Sequence, residues 1–110
     1  MNTIDQDALN QILDQMWAKY LPQLKERVSL LEGAAAAFAA GRLSAADRQS
    51  ANAAAHKLAG VLGTFGLDSG TDLARELETI YSREGSLDRS LGAQLTAMAA
   101  ELRTIVSSRK

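Results

Sequence analysis

The chain of 110 residues has no cysteine, one histidine and one proline. Without cysteine there is no disulfide, no thiolate nucleophile and no cysteine-ligated zinc. A single imidazole excludes any site that needs two. Aromatic residues are scarce, and the alternation of Val, Ile, Thr and aromatics that marks strands is missing. Charge of one sign is missing too: 12 Lys and Arg stand against 13 Asp and Glu. A dedicated nucleic-acid binder carries a basic surplus to offset phosphates, so that class is disfavoured. No apolar run approaches the ~18–20 residues of a membrane span. The start Met1-Asn2-Thr3-Ile4-Asp5 has neither the basic residues nor the apolar stretch of a secretory signal. Together these absences predict a cytoplasmic protein with no metal site and no nucleic-acid or membrane partner.

What is present is helix-forming. Ala, Leu, Gln, Glu, Arg and Lys dominate the chain. Leu9, Leu13, Met16 and Tyr20 recur at spacings of three and four. Leu21, Leu24, Val28, Leu31, Ala35 and Phe38 continue the pattern beyond Pro22, which is expected to kink the path or open a new helix. Gly41 predicts a left-handed cap. Ser44-Ala45-Ala46-Asp47 reads as a capping box with Asp in the usual Glu position. Gly66 and Gly85 are expected to stop two further helices, with Asp68 and Ser86 capping the ones that follow. The last helix carries Leu91, Leu95, Met98, Leu102 and Ile105.

The expected fold class is all-α. The architecture is an antiparallel up-down-up-down four-helix bundle with an additional N-terminal helix. The helices fall at about 4–20, 22–40, 45–64, 68–84 and 87–107, in a single domain over 1–110. A chain this long buries roughly 60–70% of its unfolded surface, enough for one core. Each helix can turn its apolar stripe to that core, which predicts a monomer. Trp17, Tyr20 and Phe38 are expected in the core or at its edge.

The lone histidine sits in the middle of the 45–64 helix. At about 100° per residue, Ala51, Ala54, Ala55, Leu58, Val61, Leu62 and Phe65 fall opposite His56. Asn52, Ala53, Ala59, Gly60 and Gly63 fall near it. His56 is therefore expected to face solvent among small side chains. Glycine inside a helix costs up to ~1 kcal/mol relative to alanine, and the bundle core needs neither Gly60 nor Gly63 on that face. Either they let another macromolecule bring its backbone close to the imidazole, or they serve close packing against the N-terminal segment. No serine or acid lies within one turn on this face, and the i±3 and i±4 neighbours cannot complete a metal site. Neutral imidazole is a good nucleophile near neutral pH. A phosphoryl acceptor needs that nucleophile, and it needs room for an anion and a partner.

Ala55-His56-Lys57-Leu58-Ala59-Gly60, with Gly63-Thr64-Phe65-Gly66-Leu67 and later Leu77-Glu78, resembles the histidine phosphotransfer (HPt) domains of two-component phosphorelays. Motif and helical frame cover nearly the whole chain. The resemblance implies a phosphoryl carrier without catalysis of its own. It implies that His56 is the phosphoacceptor and that Gly60 makes room for the partner's active-site loop. It implies a response-regulator receiver domain, or the receiver of a hybrid histidine kinase, as partner. That partner supplies the aspartate and magnesium, so the chain itself needs no cofactor.

One position departs from the family pattern. The family usually has a basic residue three positions after the histidine, where this chain has Ala59. Lys57 is the nearby base, about 100° around the helix, and either reaches the phosphoryl group or stays solvated. Asn52, one turn before His56, either donates to the phosphoryl group or is ordinary polar surface. If the two helices flanking Gly66 are antiparallel, Glu78 sits at the height of His56. It then either accepts a hydrogen bond from the far imidazole nitrogen, or pairs with Arg75 or Arg83.

Two other readings compete. One is a helical adaptor that binds receivers or other signalling proteins without phosphorylation. The other is the phosphoacceptor domain of a histidine kinase. That class usually has an acidic residue directly after the histidine and a proline soon after, and this chain has Lys57 and no proline beyond Pro22.

Overall fold

The computed structural model describes residues 6–109, and these form four helices with no strand among them. They are α1 (Gln6–Ala39), α2 (Ala45–Thr64), α3 (Asp68–Ser82) and α4 (Leu91–Ser108). The sequence-predicted helix starting near residue 4 extends outside the described residues.

The expected separate N-terminal helix is not there. Residues 6–39 are one helix, with Pro22 inside it. Proline removes the N–H that would bond to the carbonyl of Ala18. Both Pro22 and Ala18 are exposed, so water can serve that carbonyl. Trp17 before the proline and Leu24, Val28 and Leu31 after it are all buried, and this shared packing carries the helix through. The N-terminal stripe shifts accordingly: Trp17 is buried and Met16 is exposed.

Gly41 ends α1 as expected, at φ +72°. The N–H of Arg42 bonds to Ala37 O at 2.8 Å and that of Gly41 to Phe38 O at 3.0 Å, a Schellman motif. Gly66 repeats it after α2, with Leu67 N–H on Leu62 O at 2.9 Å and φ +71°. A residue with a Cβ is strained at either position. Ser44 Oγ accepts from Asp47 N at 3.0 Å, which starts α2 as the capping pattern predicts.

Two other caps differ from expectation. Asp68 is the first residue of α3 rather than its cap, and Leu67 holds the cap position without a side-chain bond. Ser86 starts no helix, because α4 begins only at Leu91. Residues 83–90 are a loop for a physical reason. The guanidinium of Arg48 donates to the carbonyls of Tyr81, at 2.9 Å, Gly85, at 2.6 Å, and Arg83. That holds the chain out of helical geometry as it leaves α3. Asp88 Oδ1 then accepts from Ser90 N at 2.9 Å and forms the turn that opens α4.

The core is built from Leu24, Leu31, Leu58, Leu62, Leu77 and Leu102, all fully buried, with alanines between the helices. Contacts fix the pairing. Along α2, Arg48, Asn52 and Ala59 meet Tyr81, Glu78 and Thr71 of α3, so the partner number falls as α2 advances. Along α1, Asp14 meets Arg109, Glu32 meets Arg103, and Phe38 lies against Gly92. Trp17 and Tyr20 lie edge-on to Phe65 at the end of α2.

Candidate functional site

α2 presents a ridge at every fourth residue: Arg48, Asn52, His56 and Gly60. Positions i and i+4 share a helix face, so one side of α3 is met by successive rungs. Arg48 bonds to Tyr81 O. One turn on, Asn52 Nδ2 donates to Glu78 O at 2.8 Å. One turn further, His56 Nδ1 lies 2.7 Å from Glu78 Oε2. The imidazole is 73% exposed and the Glu78 side chain 31%.

The contact selects a tautomer. A carboxylate only accepts, so Nδ1 carries the proton and donates it. The lone pair of the neutral ring is then on Nε2. Of the open alternatives for Glu78, the structure brings it to His56 rather than to Arg75 or Arg83.

The Asn52 amide is turned to the α3 backbone, not outward over the imidazole. Ala59 is the larger correction. Expected beside His56 on the outer face, it is buried at 5% exposure. Its carbonyl accepts from the buried Thr71 hydroxyl at 3.2 Å. The 100° spacing places the core opposite His56 alone. In fact α2 packs against both α1 and α3, and α3 lies on the Asn52–Ala59 side of the imidazole, so the buried arc is wider. Gly63 is on that same side. A Cβ there would be 3.4 Å from Thr71 Oγ1, so this glycine serves the α2–α3 seam.

The other side of His56 is open. A Cβ on Gly60 would meet nothing within 4 Å. Lys57 and Ala53 are exposed. They line one wall of a groove between α2 and α1, together with Ser50, and face Arg27 and Leu30. Leu30 is 39% exposed. The groove continues past Gly33 and Ala37 toward Leu43. The imidazole therefore has a fixed wall on one flank and an open groove on the other, where Leu30 and small residues lie among the polar side chains of Gln23, Glu26, Arg27 and Lys57.

Part of the partner's surface is expected from the 22–40 stretch, but the sequence reading names no residue of the α1 half of this groove. Its signal was Leu30, an apolar residue off the stripe formed by Leu24, Val28, Leu31 and Ala35. Arg48 and Thr71 were missed as well, since nothing local shows which backbone carbonyl a side chain will reach. Among the described residues, no group of three His, Cys, Asp or Glu side chains could hold a metal ion. No helix among them is long and apolar enough to cross a membrane.

This is the geometry of a surface nucleophile oriented by an acid, carried on a helical frame. The sequence matches the Hpt domain family over residues 15–105, which include every residue of the site. The chain belongs to that family, the histidine phosphotransfer modules of two-component phosphorelays. No curated protein and no solved structure matches it.

Proposed function

We propose that His56 carries the phosphoryl group on Nε2, taking it from and returning it to the aspartate of a receiver domain. The observation that carries this reading is the 2.7 Å contact between Glu78 and Nδ1 on an otherwise exposed ring. The Nε2 lone pair attacks the phosphorus of an aspartyl phosphate, the N–P bond forms and the acyl P–O bond breaks. The partner's carboxylate leaves with the electron pair. The ring gains positive charge while Nδ1 keeps its proton, and the Glu78 carboxylate stabilises that charge. Return transfer is the same displacement reversed. In-line transfer of this kind depends on positioning and charge neutralisation, and the partner's magnesium supplies most of the latter.

The groove beside His56 gives the partner its docking face. Leu30 provides an apolar anchor, Gly33, Ala37 and Ala53 let a partner backbone come close in the groove, and Gly60 leaves open space beside the ring. Ala59 is buried and carries no charge, so Lys57 is the basic side chain left to meet the phosphoryl group. The role is that of a carrier in the cytoplasm, with no catalytic cycle of its own and no bound cofactor.

The test is transfer of label from a panel of radiolabelled phospho-receivers to the wild type and to His56→Gln. Acid-labile, base-stable label on the wild type and none on the variant is the expected result. Receivers that bind without ever transferring label would overturn the reading in favour of an adaptor, which the missing basic residue at position 59 would suit.

A further inference from the structure

The threonines of the described helices fall into two groups. Thr64, Thr79, Thr96 and Thr104 turn their hydroxyls back to the carbonyl four residues earlier in their own helix. That is the usual habit of a helical threonine. Among the described residues, Thr71 alone crosses to a neighbouring helix, with its hydroxyl on Ala59 O at 3.2 Å. It is also buried, on the α3 stripe that includes Ala74 and Leu77. A buried hydroxyl costs stability unless it is hydrogen-bonded, and valine would fill the same space with none to satisfy. The Ala59 carbonyl has the intrahelical N–H of Gly63 as partner in any case. The core does not require this bond, so its use lies in what it fixes.

What it fixes is the height of α3 against α2. Asn52 and Ala59 stand seven residues apart on α2, and Thr71 and Glu78 seven apart on α3. Asn52 donates to Glu78 O at 2.8 Å, and Thr71 donates back to Ala59 O. The two bonds run in opposite directions between the helices and lie about 10 Å apart along them, at 1.5 Å per residue. His56 lies between, four residues after Asn52 and three before Ala59. At the Thr71 end, α2 offers only Ala59 and Gly63. Such small residues make shallow ridges, so apolar packing there resists sliding weakly.

We propose that Thr71 is a positioning residue for the phosphoryl site: its bond to Ala59 sets the register in which the Glu78 carboxylate meets His56 Nδ1. Asn52 holds the Glu78 backbone at one height, but a single bond is a pivot. Thr71, two turns away, removes the pivot. With both bonds made, α3 neither slides nor swings against His56, and the carboxylate is held 2.7 Å from the ring. A satisfied buried polar contact specifies one arrangement of packed elements in this way. Without the Thr71 hydroxyl, Glu78 keeps its bond to Asn52, but its carboxylate meets the ring for less of the time. Nδ1 then loses its acceptor, and its proton passes to Nε2 through water. The Nε2 lone pair that attacks phosphorus is thereby occupied. The proposal deepens the carrier reading and rests on it for that last consequence alone.

The test uses the full chain and compares the wild type with Thr71→Ser, Thr71→Val and Thr71→Ala. Wild type and Thr71→Ser have the hydroxyl, and the other two lack it. Thr71→Val keeps the size of threonine, while Thr71→Ala matches Thr71→Ser without its oxygen. ¹⁵N NMR of the neutral imidazole reads the ratio of Nδ1–H to Nε2–H forms. That ratio is expected to fall at least about twofold in Thr71→Val and Thr71→Ala, the low end for coupling within one hydrogen-bond network, and to stay near wild type in Thr71→Ser. Urea midpoints are expected to follow size instead, with Thr71→Val near the wild type. Ratios that follow size overturn the proposal, since the role is then one of packing. Ratios that are the same in all four overturn it too. The spectra need no partner and no phosphoryl group. A wild type that never takes label from a phospho-receiver removes the carrier reading, and ratios grouped by the hydroxyl still support Thr71 as the residue that sets the ring.

Discussion

Asn52 and Glu78 are joined by a 2.8 Å hydrogen bond from the Asn52 amide to the Glu78 carbonyl, one turn from where the Glu78 carboxylate meets His56. One residue of α3 is thus held by both backbone and side chain. Removing the carboxylate should release the ring. In ¹⁵N NMR the neutral wild-type imidazole is expected to show the Nδ1–H form, and Glu78→Ala a shift toward Nε2–H. Asn52→Ala should shift the same balance part of the way. It should also cost about 1 kcal/mol in urea unfolding, the usual size for a lost hydrogen bond. Unchanged tautomers in both variants would show that Glu78 does not set the ring.

Gly60 separates stability from function. A methyl group there meets nothing in the chain, and alanine is the better helix former. Gly60→Ala is expected to stabilise the fold by up to ~1 kcal/mol. Gly60→Leu should fold equally well and slow phosphoryl transfer, because the side chain occupies the space a partner needs. Denaturant melts beside transfer rates separate the two effects. Unaltered transfer by the leucine variant would place the partner elsewhere.

Gly70 should behave in the opposite way. It is buried in the first turn of α3, and a Cβ would stand 2.9 Å from Leu62 Cδ1 and 3.3 Å from Ile105 Cγ2. Leu62 is fully buried and has little room to move. Gly70→Ala is expected to destabilise by about 1–3 kcal/mol, as overpacked cores do. Thermal unfolding of the two alanine variants side by side should give shifts of opposite sign.

Tyr81 makes the fold sensitive to alkali. Burial pushes its phenol up to about 12. In the unfolded chain the phenol returns to about 10, so the folded state holds its proton more tightly. That contribution is complete below about pH 10 and is lost as pH rises toward about 12. Each pKa unit corresponds to about 1.4 kcal/mol, so the total is on the order of 1–3 kcal/mol. The hydroxyl is buried without a hydrogen-bond partner. Tyr81→Phe should therefore keep its stability at pH 7 within about 1 kcal/mol and resist pH 11 better than wild type. Urea midpoints at the two pH values provide the check.

Much of this molecule can be read from local signals. Gly41, Gly66 and Ser44 fix helix ends because their effects act within a few residues. His56 is exposed as its neighbours predict. Apart from Asp68, one residue off its expected cap position, the misreadings involve distant partners. Pro22 breaks a helix in isolation, but Trp17 and Leu24 pack on the same core and hold it together. Ala59 faces the outside of a helix with one neighbour, yet α2 has two. Ser86 looks like a cap until Arg48, far away in sequence, takes the carbonyls before it. Leu30 and Ile12 carry no expectation from the sequence, since both fall out of step with the apolar stripe; their exposure shows only once the neighbouring helices are in place.

The Schellman turn at Gly66 has a consequence for how the molecule assembles itself. It folds α3 straight back along α2, so that His56, Asn52, Thr71 and Glu78 all lie within one helical hairpin. The loop that must close to bring them together is short, and closing it costs little chain entropy. Neither the first helix nor the last contributes an atom to the imidazole's hydrogen bond. Fraying or partial opening at the chain ends can therefore leave the nucleophile and its acid in register. Amide exchange should find the hairpin protected in openings that have already released α4.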